Sequence, residues 1–420
     1  MDVRKKVLPN GLVIASEVMP HLRSASLGVW IRSGSRIENA GNCGISHFVE
    51  HLLFKGTKRR STAKIAEVID AIGGQFDAYT EKEYVGYFVK VLDEHLPTAF
   101  DLLSDIMLNP AFPSEEIERE RNVIFEEINM VEDSPQELIQ DLFLENFWKK
   151  HPLGRPVAGT KKTVSGITGE DIGGFFRKHY AASNIVVTVA GNIRHRDVQN
   201  FAEHYFSKMK TGTPADYGSP PHSTAARTIR NKSNLEQTHL VLGTDAPHAA
   251  SKERYCAHIL CNILGGGMSS RLFQDIREKR GLVYSIYSTL NQYRDAGTLI
   301  VYAGTSPDKA AEVVELTLLE LRRLRDRPVT SRELKRTKDN IRGTIMLSLE
   351  SSGSRMSNLA QQLLYHDRFY KLEEILDAVD RVTAREIRDL AVRMFDSSCL
   401  ALTALGSRNG RNLKTVSLDI

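Results

Sequence analysis

The sequence predicts a protein made of two copies of one domain that contains both strands and helices. A chain of 420 residues is long enough for two or more domains. A helix, short loop, strand and glycine at 167–191 recur in the same order at 382–406. A stretch rich in Gly, Pro, Ser and Thr separates the two halves. We therefore expect an N-terminal domain at 1–210, a linker at 211–228 and a C-terminal domain at 229–420.

The first half shows strand periodicity and helix periodicity in turn. Asn10-Gly11 between two apolar runs is typical of a tight turn between strands, and Leu27, Val29 and Ile31 alternate as in a half-buried strand. Apolar residues at helical spacing alternate with Gly-rich breaks further on. These patterns predict strands at 3–8, 12–18, 26–32 and 184–190 with two more inside 75–92, and helices at 62–72, 96–107, 114–132, 135–147 and 168–180.

The run Gly44 to Phe54 predicts a short amphipathic helix that carries His47, Glu50 and His51. On a helix the two histidines are i and i+4, so both imidazoles leave from one face. Two neutral imidazoles can hold Zn²⁺ while a nearby carboxylate accepts a proton from water. The pattern H-x-x-E-H is one form of zinc hydrolase motif. The alternative is that both histidines belong to a polar helix face.

A catalytic zinc site normally has three protein ligands. The acidic helix predicted at 114–132 carries Glu120 and Glu127 two turns apart on one face. Glu127 could act as a ligand while Glu120 holds one of the histidines by a hydrogen bond. The alternative is a solvated face, because Glu is mostly exposed in proteins.

The proposed repeat extends to the motif helix. Residues 47–53 align with 258–264, which places Cys261 where Glu50 stands and Asn262 where His51 stands. The alternative is convergent amphipathic patterning. If the repeat is real, the first half is catalytic and the second shapes the site.

The motif H-x-x-E-H, followed by R-N-x-x-x-x-E ending at Glu127, resembles the insulinase–pitrilysin family of zinc metallopeptidases. Further matches are the L-x-N-G-L segment at 8–12, Gly34-Ser35-Arg36, and the 52–57 and 74–81 regions. The length and the Phe54-Lys55-Gly56-Thr57 tail are most similar to the mitochondrial processing peptidase branch and its bacterial relatives.

The resemblance implies a Zn²⁺ cofactor held by His47, His51 and Glu127, with Glu127 preferred over Glu126 by its spacing from His51. Glu50 is then the general base, and Glu120 supports one of the histidine ligands without contacting the metal. Family members also carry an Arg and a Tyr in the second domain that bind substrate and stabilise the oxyanion. The implied counterparts are Arg277 and Tyr284; without the resemblance, a surface Arg277 and a core Tyr284 are favoured.

The same resemblance implies the fold class α+β, with two homologous domains, each a mainly antiparallel sheet with helices packed on one face. The substrate peptide would add as a strand to an exposed edge. That edge is expected at the segment containing Phe76, Ala78, Thr80 and Glu81. Family members enclose a chamber with four such domains, so a homodimer is expected, or a heterodimer with a related subunit.

The predicted function is a zinc metalloendopeptidase of the processing type that cleaves peptides or unfolded segments. The alternative is a non-catalytic core or structural subunit of a larger complex. The 56 basic and 52 acidic residues are interspersed, which argues against nucleic acid as a partner. No run is long enough for a signal peptide or membrane span, and the four cysteines form no C-x-x-C pair, so a cytoplasmic protein is expected.

A Gly-rich run at 265–272 could suggest a phosphate-binding loop. It lacks the Lys-Ser/Thr pair of such loops, so that function is discounted.

Overall fold

Two separate sheets organise the computed structural model, which describes residues 2–406 and 411–420. Their strands are β1 (Val3–Val7), β2 (Val13–Val18), β3 (Ser24–Ile31), β4 (Gln75–Thr80), β5 (Val85–Leu92), β6 (Ile185–Gly191), β7 (Arg227–Asn231), β8 (Thr238–Asp245), β9 (Val283–Gln292), β10 (Gly297–Thr305) and β11 (Ala401–Gly406).

The α-helices lie between these strands, and those expected at 62–72, 96–107, 114–132, 135–147 and 168–180 lie close to their predicted positions. They are α1 (Ile45–Leu53), α2 (Thr62–Ala71), α3 (Leu96–Leu108), α4 (Ser114–Asp133), α5 (Pro135–Phe147), α6 (Lys161–Gly166), α7 (Gly169–His179), α8 (His195–Phe206), α9 (Arg254–Gly265), α10 (Ala310–Asp326), α11 (Ser331–Ser348), α12 (Ser352–His366), α13 (Leu372–Arg381) and α14 (Ala384–Met394). A π-helical segment spans Phe273–Glu278.

The first compact unit contains residues 2–130, Arg155–Ser219 and Met346–Phe369. Its sheet has the order β1-β2-β6-β3-β5-β4, in which β2 and β6 are parallel and all other neighbours are antiparallel. Because side chains alternate along a strand, Leu27, Val29 and Ile31 of β3 enter one apolar core while Trp30 enters another on the opposite face. Helices α1, α3, α7 and α8 contribute to the first of these cores.

The second unit contains Val131–Gly154, Pro220–Ile345 and the described residues from 370 onward. Its sheet has the order β7-β11-β8-β10-β9, and only β7 and β11 among these neighbours are parallel. Helices α9, α10 and α14 build its main core. The topology repeats that of the first unit from β2 onward. The predicted fold class, α+β with two similar and mainly antiparallel sheets, is confirmed.

One helix from each half of the sequence belongs to the unit formed mainly by the other half. Helix α12 covers the outer face of the first sheet, where Met356, Leu359 and Leu363 pack on Trp30. Helix α5 covers the corresponding face of the second sheet through Leu138, Ile139 and Phe143. Each compact unit is therefore made of separate segments of the sequence, whereas the domains expected at 1–210 and 229–420 are each one continuous segment.

The first part of the predicted linker is fixed to the first unit. Backbone N–H groups of Ala182 and Ser183 donate to the carbonyls of Lys210 and Thr211. The side chain of Asn184 donates to the Thr213 carbonyl at 3.0 Å. The last two residues of the predicted linker already belong to β7. Residues 211–226 have no regular structure, and the Tyr217 hydroxyl also donates to the Glu83 carbonyl at 3.0 Å.

Among the described residues, no helix is both long and apolar enough to cross a membrane.

Candidate metal centre

Helix α1 begins without a side-chain cap of its own. Its N-cap residue, Gly44, has φ +98°, and a Cβ there would lie 2.7 Å from the Ala158 carbonyl oxygen. The carboxylate of Glu38 replaces the missing cap, because it accepts hydrogen bonds from the N–H groups of Gly44 and Ser46, both at 2.8 Å. Burial raises the pKa of Glu38 to about 7, although both N–H bonds favour the ionised form.

The apolar stripe of α1 orients the two histidines. Ile45, Phe48, Val49, Leu52 and Leu53 are all buried in the core of the first unit. The remaining face carries the imidazoles of His47 and His51, whose ring centroids are 4.6 Å apart. The predicted i, i+4 arrangement is therefore present.

Helix α4 brings a carboxylate to the same place. Its buried residues are Ile117, Glu120 and Ile124. Two turns after Glu120, Oε2 of Glu127 lies 3.5 Å from Nε2 of His47 and 3.4 Å from Nε2 of His51. Glu126 is exposed. The structure thus brings together the three residues that the sequence selected.

The three donor groups fit a zinc ion. Ligands about 2.0–2.2 Å from a tetrahedral zinc lie about 3.3–3.5 Å from one another. The distances from Glu127 to the two histidines match that separation. Within the part of the chain that the structure describes, this is the only group of three such residues whose donor atoms all lie within 4.8 Å. Two imidazoles and one carboxylate are also a donor set that zinc hydrolases use.

A buried carboxylate supports one ligand from behind. Oε2 of Glu120 lies 3.1 Å from Nδ1 of His51, and Oε1 lies 2.8 Å from Nζ of Lys55. The Glu120 side chain is 7% exposed. A hydrogen bond from Nδ1–H fixes the tautomer in which Nε2 is free to bind a metal.

The electrostatics of the three donors suit cation binding. Burial and the neighbouring His51 lower the pKa of His47 to about 4, so its imidazole is neutral at pH 7. The hydrogen bond and positive charge of His51 lower the pKa of Glu127, despite partial burial. Burial disfavours the charged form of His51, but Glu127 and Glu120 together raise its pKa. A bound cation would compensate the negative charges of Glu127 and Glu120 in place of the proton on His51.

Glu50 leaves the same helix and meets strand β4. Burial raises the pKa of its carboxyl group, while a hydrogen bond from Thr80 opposes the shift. Thr80 Oγ1 donates to Oε2 of Glu50 at 2.5 Å. A carboxylate with a raised pKa beside a metal site is suited to accepting a proton.

The other residues expected to bind substrate lie on β4 or directly after it. Phe76 packs on Phe54 at 5.1 Å between ring centroids, and Ala78 is packed against the same core. Their side chains therefore face inward with Thr80. Glu81 follows the strand, and its N–H donates to the Tyr84 carbonyl. Strand β4 is an edge of its sheet, so its outer backbone groups are the part available to a peptide.

Arg277 and Tyr284 lie beside each other in the second unit. The Arg277 guanidinium is 5.7 Å from the centroid of the Tyr284 ring and 4.6 Å from that of Phe273. Arg277 is half-buried, and Tyr284 is 80% exposed. The sequence alone favoured a core position for Tyr284. The structure shows instead that Tyr284 is not a core residue.

The second copy of the motif helix is α9. Cys261 and Asn262 stand on it at the aligned positions of Glu50 and His51. Cys261 Sγ is 3.4 Å from Ser288 Oγ, and burial raises the pKa of its thiol to about 11. His258, at the aligned position of His47, is exposed. A buried, neutral thiol suits a packed helix.

Sequence reasoning missed the role of Glu38. The available signal was a helix with Gly at its N-cap, preceded by a loop that contains one acidic residue. The contact between Thr80 and Glu50 was also missed, because Thr80 was selected only as part of a substrate strand.

Comparison with known sequences agrees with this geometry. Residues 13–161 match the family described as insulinase, peptidase family M16, and residues 166–341 match the peptidase M16 inactive domain. An uncharacterized zinc protease of Mycobacterium leprae is 39% identical over 401 residues, covering 94% of this chain and 89% of the relative. An uncharacterized zinc protease of Bacillus subtilis is 37% identical over 393 residues, covering 94% and 96%.

Solved structures share the fold. A protease from Helicobacter pylori superposes with a TM-score of 0.92 at 23% identity, covering 96% of this chain and 99% of that one. A structure described as a peptidase M16 inactive domain from Pseudomonas fluorescens gives a TM-score of 0.91 at 19% identity, with 97% and 98% covered. At these identities the likeness concerns the fold alone.

Proposed function

The chain belongs to the insulinase family of peptidases, family M16, and we propose that it is a zinc-dependent endopeptidase of the processing type that cleaves peptides or unfolded segments. One observation carries the proposal: Glu127 Oε2 lies 3.5 and 3.4 Å from the two histidine Nε2 atoms. Zinc is the metal named for the relatives in M. leprae and B. subtilis, and it suits this donor set.

When bound, a zinc ion supplies a Lewis acid for the scissile carbonyl and lowers the pKa of a water molecule. His47, His51 and Glu127 would hold the ion, and Glu120 would keep His51 in the binding tautomer. Glu50 would accept a proton from the attacking water on its carboxylate and deliver it to the leaving amine. The burial that raises the pKa of Glu50 makes it a stronger base.

Arg277 and Tyr284 are proposed to bind the substrate backbone and stabilise the negative charge that develops on the carbonyl oxygen. Two features support this role. Their side chains lie together, and the Tyr284 side chain is exposed rather than used in the core.

Strand β4 is proposed to receive the substrate as an added strand. It pairs with β5 on one side only, so the N–H and C=O groups of its other side are not used by the sheet. Pairing through the backbone gives affinity with little dependence on sequence, which suits cleavage of extended or unfolded segments.

The proposal is tested by cleavage of a quenched, unstructured peptide together with zinc analysis. We expect the parent to contain zinc and to cleave, with loss of cleavage on chelation and recovery when zinc is returned. Glu50→Gln should keep its zinc and lose cleavage, because it removes the base and no ligand. A parent that contains zinc and cleaves while Glu50→Gln stays fully active would contradict the role of Glu50. A parent with neither zinc nor cleavage would favour a structural subunit.

A homodimer is proposed as the working assembly, because the resemblance implies four domains around the substrate and this chain supplies two. Light scattering on the purified chain should give twice the monomer mass of 47.1 kDa. A monomer that becomes active only with a related chain would favour the heterodimer.

A further inference from the structure

The carboxylate of Glu50 has one hydrogen-bond partner within residues 2–406 and 411–420. That partner is Thr80, whose hydroxyl donates to Oε2 at 2.5 Å. Glu50 is 9% exposed, so solvent does little to orient it. A hydrogen bond to one oxygen restricts the rotation of a carboxylate. The hydroxyl of Thr80 therefore favours one direction for Oε1.

The backbone of Thr80 is held by the pairing of β4 with β5 and by the turn that follows. It is the last residue of β4 and pairs with Val85 of β5. The turn that follows is hydrogen-bonded to the segment 34–36, since the Ser35 N–H donates to the Glu81 carbonyl at 3.1 Å and the Arg36 N–H donates to the Lys82 carbonyl at 2.7 Å.

This turn is also packed closely against Gly34. A Cβ at Gly34 would lie 2.2 Å from the Glu81 carbonyl oxygen, so only glycine allows the approach. The backbone of Thr80 is thus fixed between a strand pair and a hydrogen-bonded turn, and from this position its hydroxyl donates to Glu50.

We propose that Thr80 is a positioning residue that orients Glu50 and fixes the general base relative to strand β4. The inference rests on the proposed function, and it assigns to Thr80 a role different from contact with substrate. Because β4 is the edge that is proposed to receive the peptide, this one strand would position both the substrate and the general base Glu50. The competing explanation is that the hydroxyl merely satisfies a buried carboxylate and affects stability alone.

Thr80→Val removes the hydroxyl with little change in volume. If Thr80 orients the base, kcat should fall about 10- to 100-fold, because the carboxylate loses the hydrogen bond that holds it in position to accept the proton. The KM should stay within about twofold because the backbone edge of β4 is kept. Thr80→Ser retains a hydroxyl and should recover most of the lost kcat. Zinc content should stay close to that of the parent, whereas the unfolding temperature should fall modestly because the buried Glu50 carboxylate loses a hydrogen bond.

Thr98→Val on α3 is the matched control, because it makes the same substitution on a half-exposed helical position. It should leave kcat unchanged. A structural role for Thr80 would lower the unfolding temperature and leave the kcat of the folded enzyme unchanged, and that result would overturn the inference.

A double-mutant cycle isolates the coupling to Glu50. In Glu50→Asp the carboxylate is one methylene shorter and should no longer reach the Thr80 hydroxyl. Adding Thr80→Val in that background should therefore cost less than about threefold in kcat. Equal losses in both backgrounds would overturn the inference while leaving zinc-dependent cleavage intact. A parent with no zinc-dependent cleavage would overturn both this inference and the proposed function.

Discussion

Glu120 and His51 are joined by a contact of 3.1 Å between Oε2 and Nδ1. The contact joins two helices that are far apart in sequence, and it places the other nitrogen of the ring 3.4 Å from Glu127. Glu120 is also paired with Lys55, so the charge of this buried carboxylate is compensated. Glu120 is not among the expected metal ligands, but through His51 it can determine how tightly the metal is bound.

The first prediction concerns Glu120. Glu120→Gln should weaken zinc binding about 10- to 100-fold, because the His51 ring loses the carboxylate that fixes its tautomer. Competition with a metal-binding dye measures the change. Glu126→Gln is the control, since Glu126 is exposed on the same helix. Equal zinc affinity in the two variants would exclude a supporting role for Glu120.

Glu38 provides a prediction about stability. Glu38→Gln replaces one acceptor oxygen with a donor that faces a backbone N–H of α1. Leaving a buried donor without a partner costs about 1–3 kcal/mol. Urea unfolding with saturating zinc should show a loss of this size, and a change below about 0.5 kcal/mol would argue against Glu38 as the cap.

The parent and Glu38→Gln should also differ in how the free energy of unfolding depends on pH. Burial raises the pKa of Glu38 to about 7, so the folded protein keeps a proton that the unfolded chain has released. The stability from this proton is complete below about pH 4.5 and is lost as the pH rises through about 7. The advantage of the parent over Glu38→Gln should therefore shrink between about pH 5 and 8. An advantage that stays constant over this range would mean that the folded state already holds the carboxylate ionised.

Arg36 and Glu83 form an ion pair at 2.6 Å, with side chains 0% and 3% exposed. The Arg36 guanidinium also donates to the Tyr217 carbonyl at 3.1 Å. Arg36→Met should destabilise the protein by about 3–5 kcal/mol because Glu83 is left buried and charged.

The double variant Arg36→Met with Glu83→Gln tests that explanation. It should be more stable than Arg36→Met alone, since the buried negative charge is removed together with its Arg36 partner. Chemical unfolding of the parent, both single variants and the double variant measures the coupling. Strictly additive losses would show that the pair has no specific interaction.

Tyr284 allows a test of transition-state stabilisation in which the fold of the protein should not be affected. Its side chain is 80% exposed, so Tyr284→Phe should leave the unfolding temperature and zinc content unchanged. If its hydroxyl supports the oxyanion, kcat should fall about 10- to 1,000-fold. Steady-state kinetics on the quenched peptide provide the measurement, and unchanged kinetics would remove Tyr284 from the mechanism.

Short-range patterns predicted much of the site. The i, i+4 histidines and the two-turn spacing of Glu120 and Glu127 are helical periodicities, so one sequence suffices to place them on helix faces. The internal repeat was likewise visible, and the two sheets share the same topology from β2 onward. The resemblance then selected Glu127 over Glu126, a choice that periodicity alone could not make.

Contacts between distant segments were not predictable in the same way. Helix α12 has an apolar stripe that would fit either sheet, and nothing in its periodicity shows that it packs on Trp30. The bond from Thr80 to Glu50 and the cap from Glu38 to α1 each depend on the exact approach of two elements. Such contacts are determined by tertiary packing, and the Gly N-cap after a loop with one acidic residue is only an indirect signal of the second one.

The claim on which the rest depends is that His47, His51 and Glu127 hold one zinc ion. The most direct measurement is elemental analysis of the parent, Glu127→Gln and Glu126→Gln after dialysis against a weak chelator. We predict about one zinc per chain in the parent and in Glu126→Gln, and a large loss in Glu127→Gln, because only Glu127 completes the three-ligand set. Equal zinc in Glu127→Gln and the parent would contradict the account.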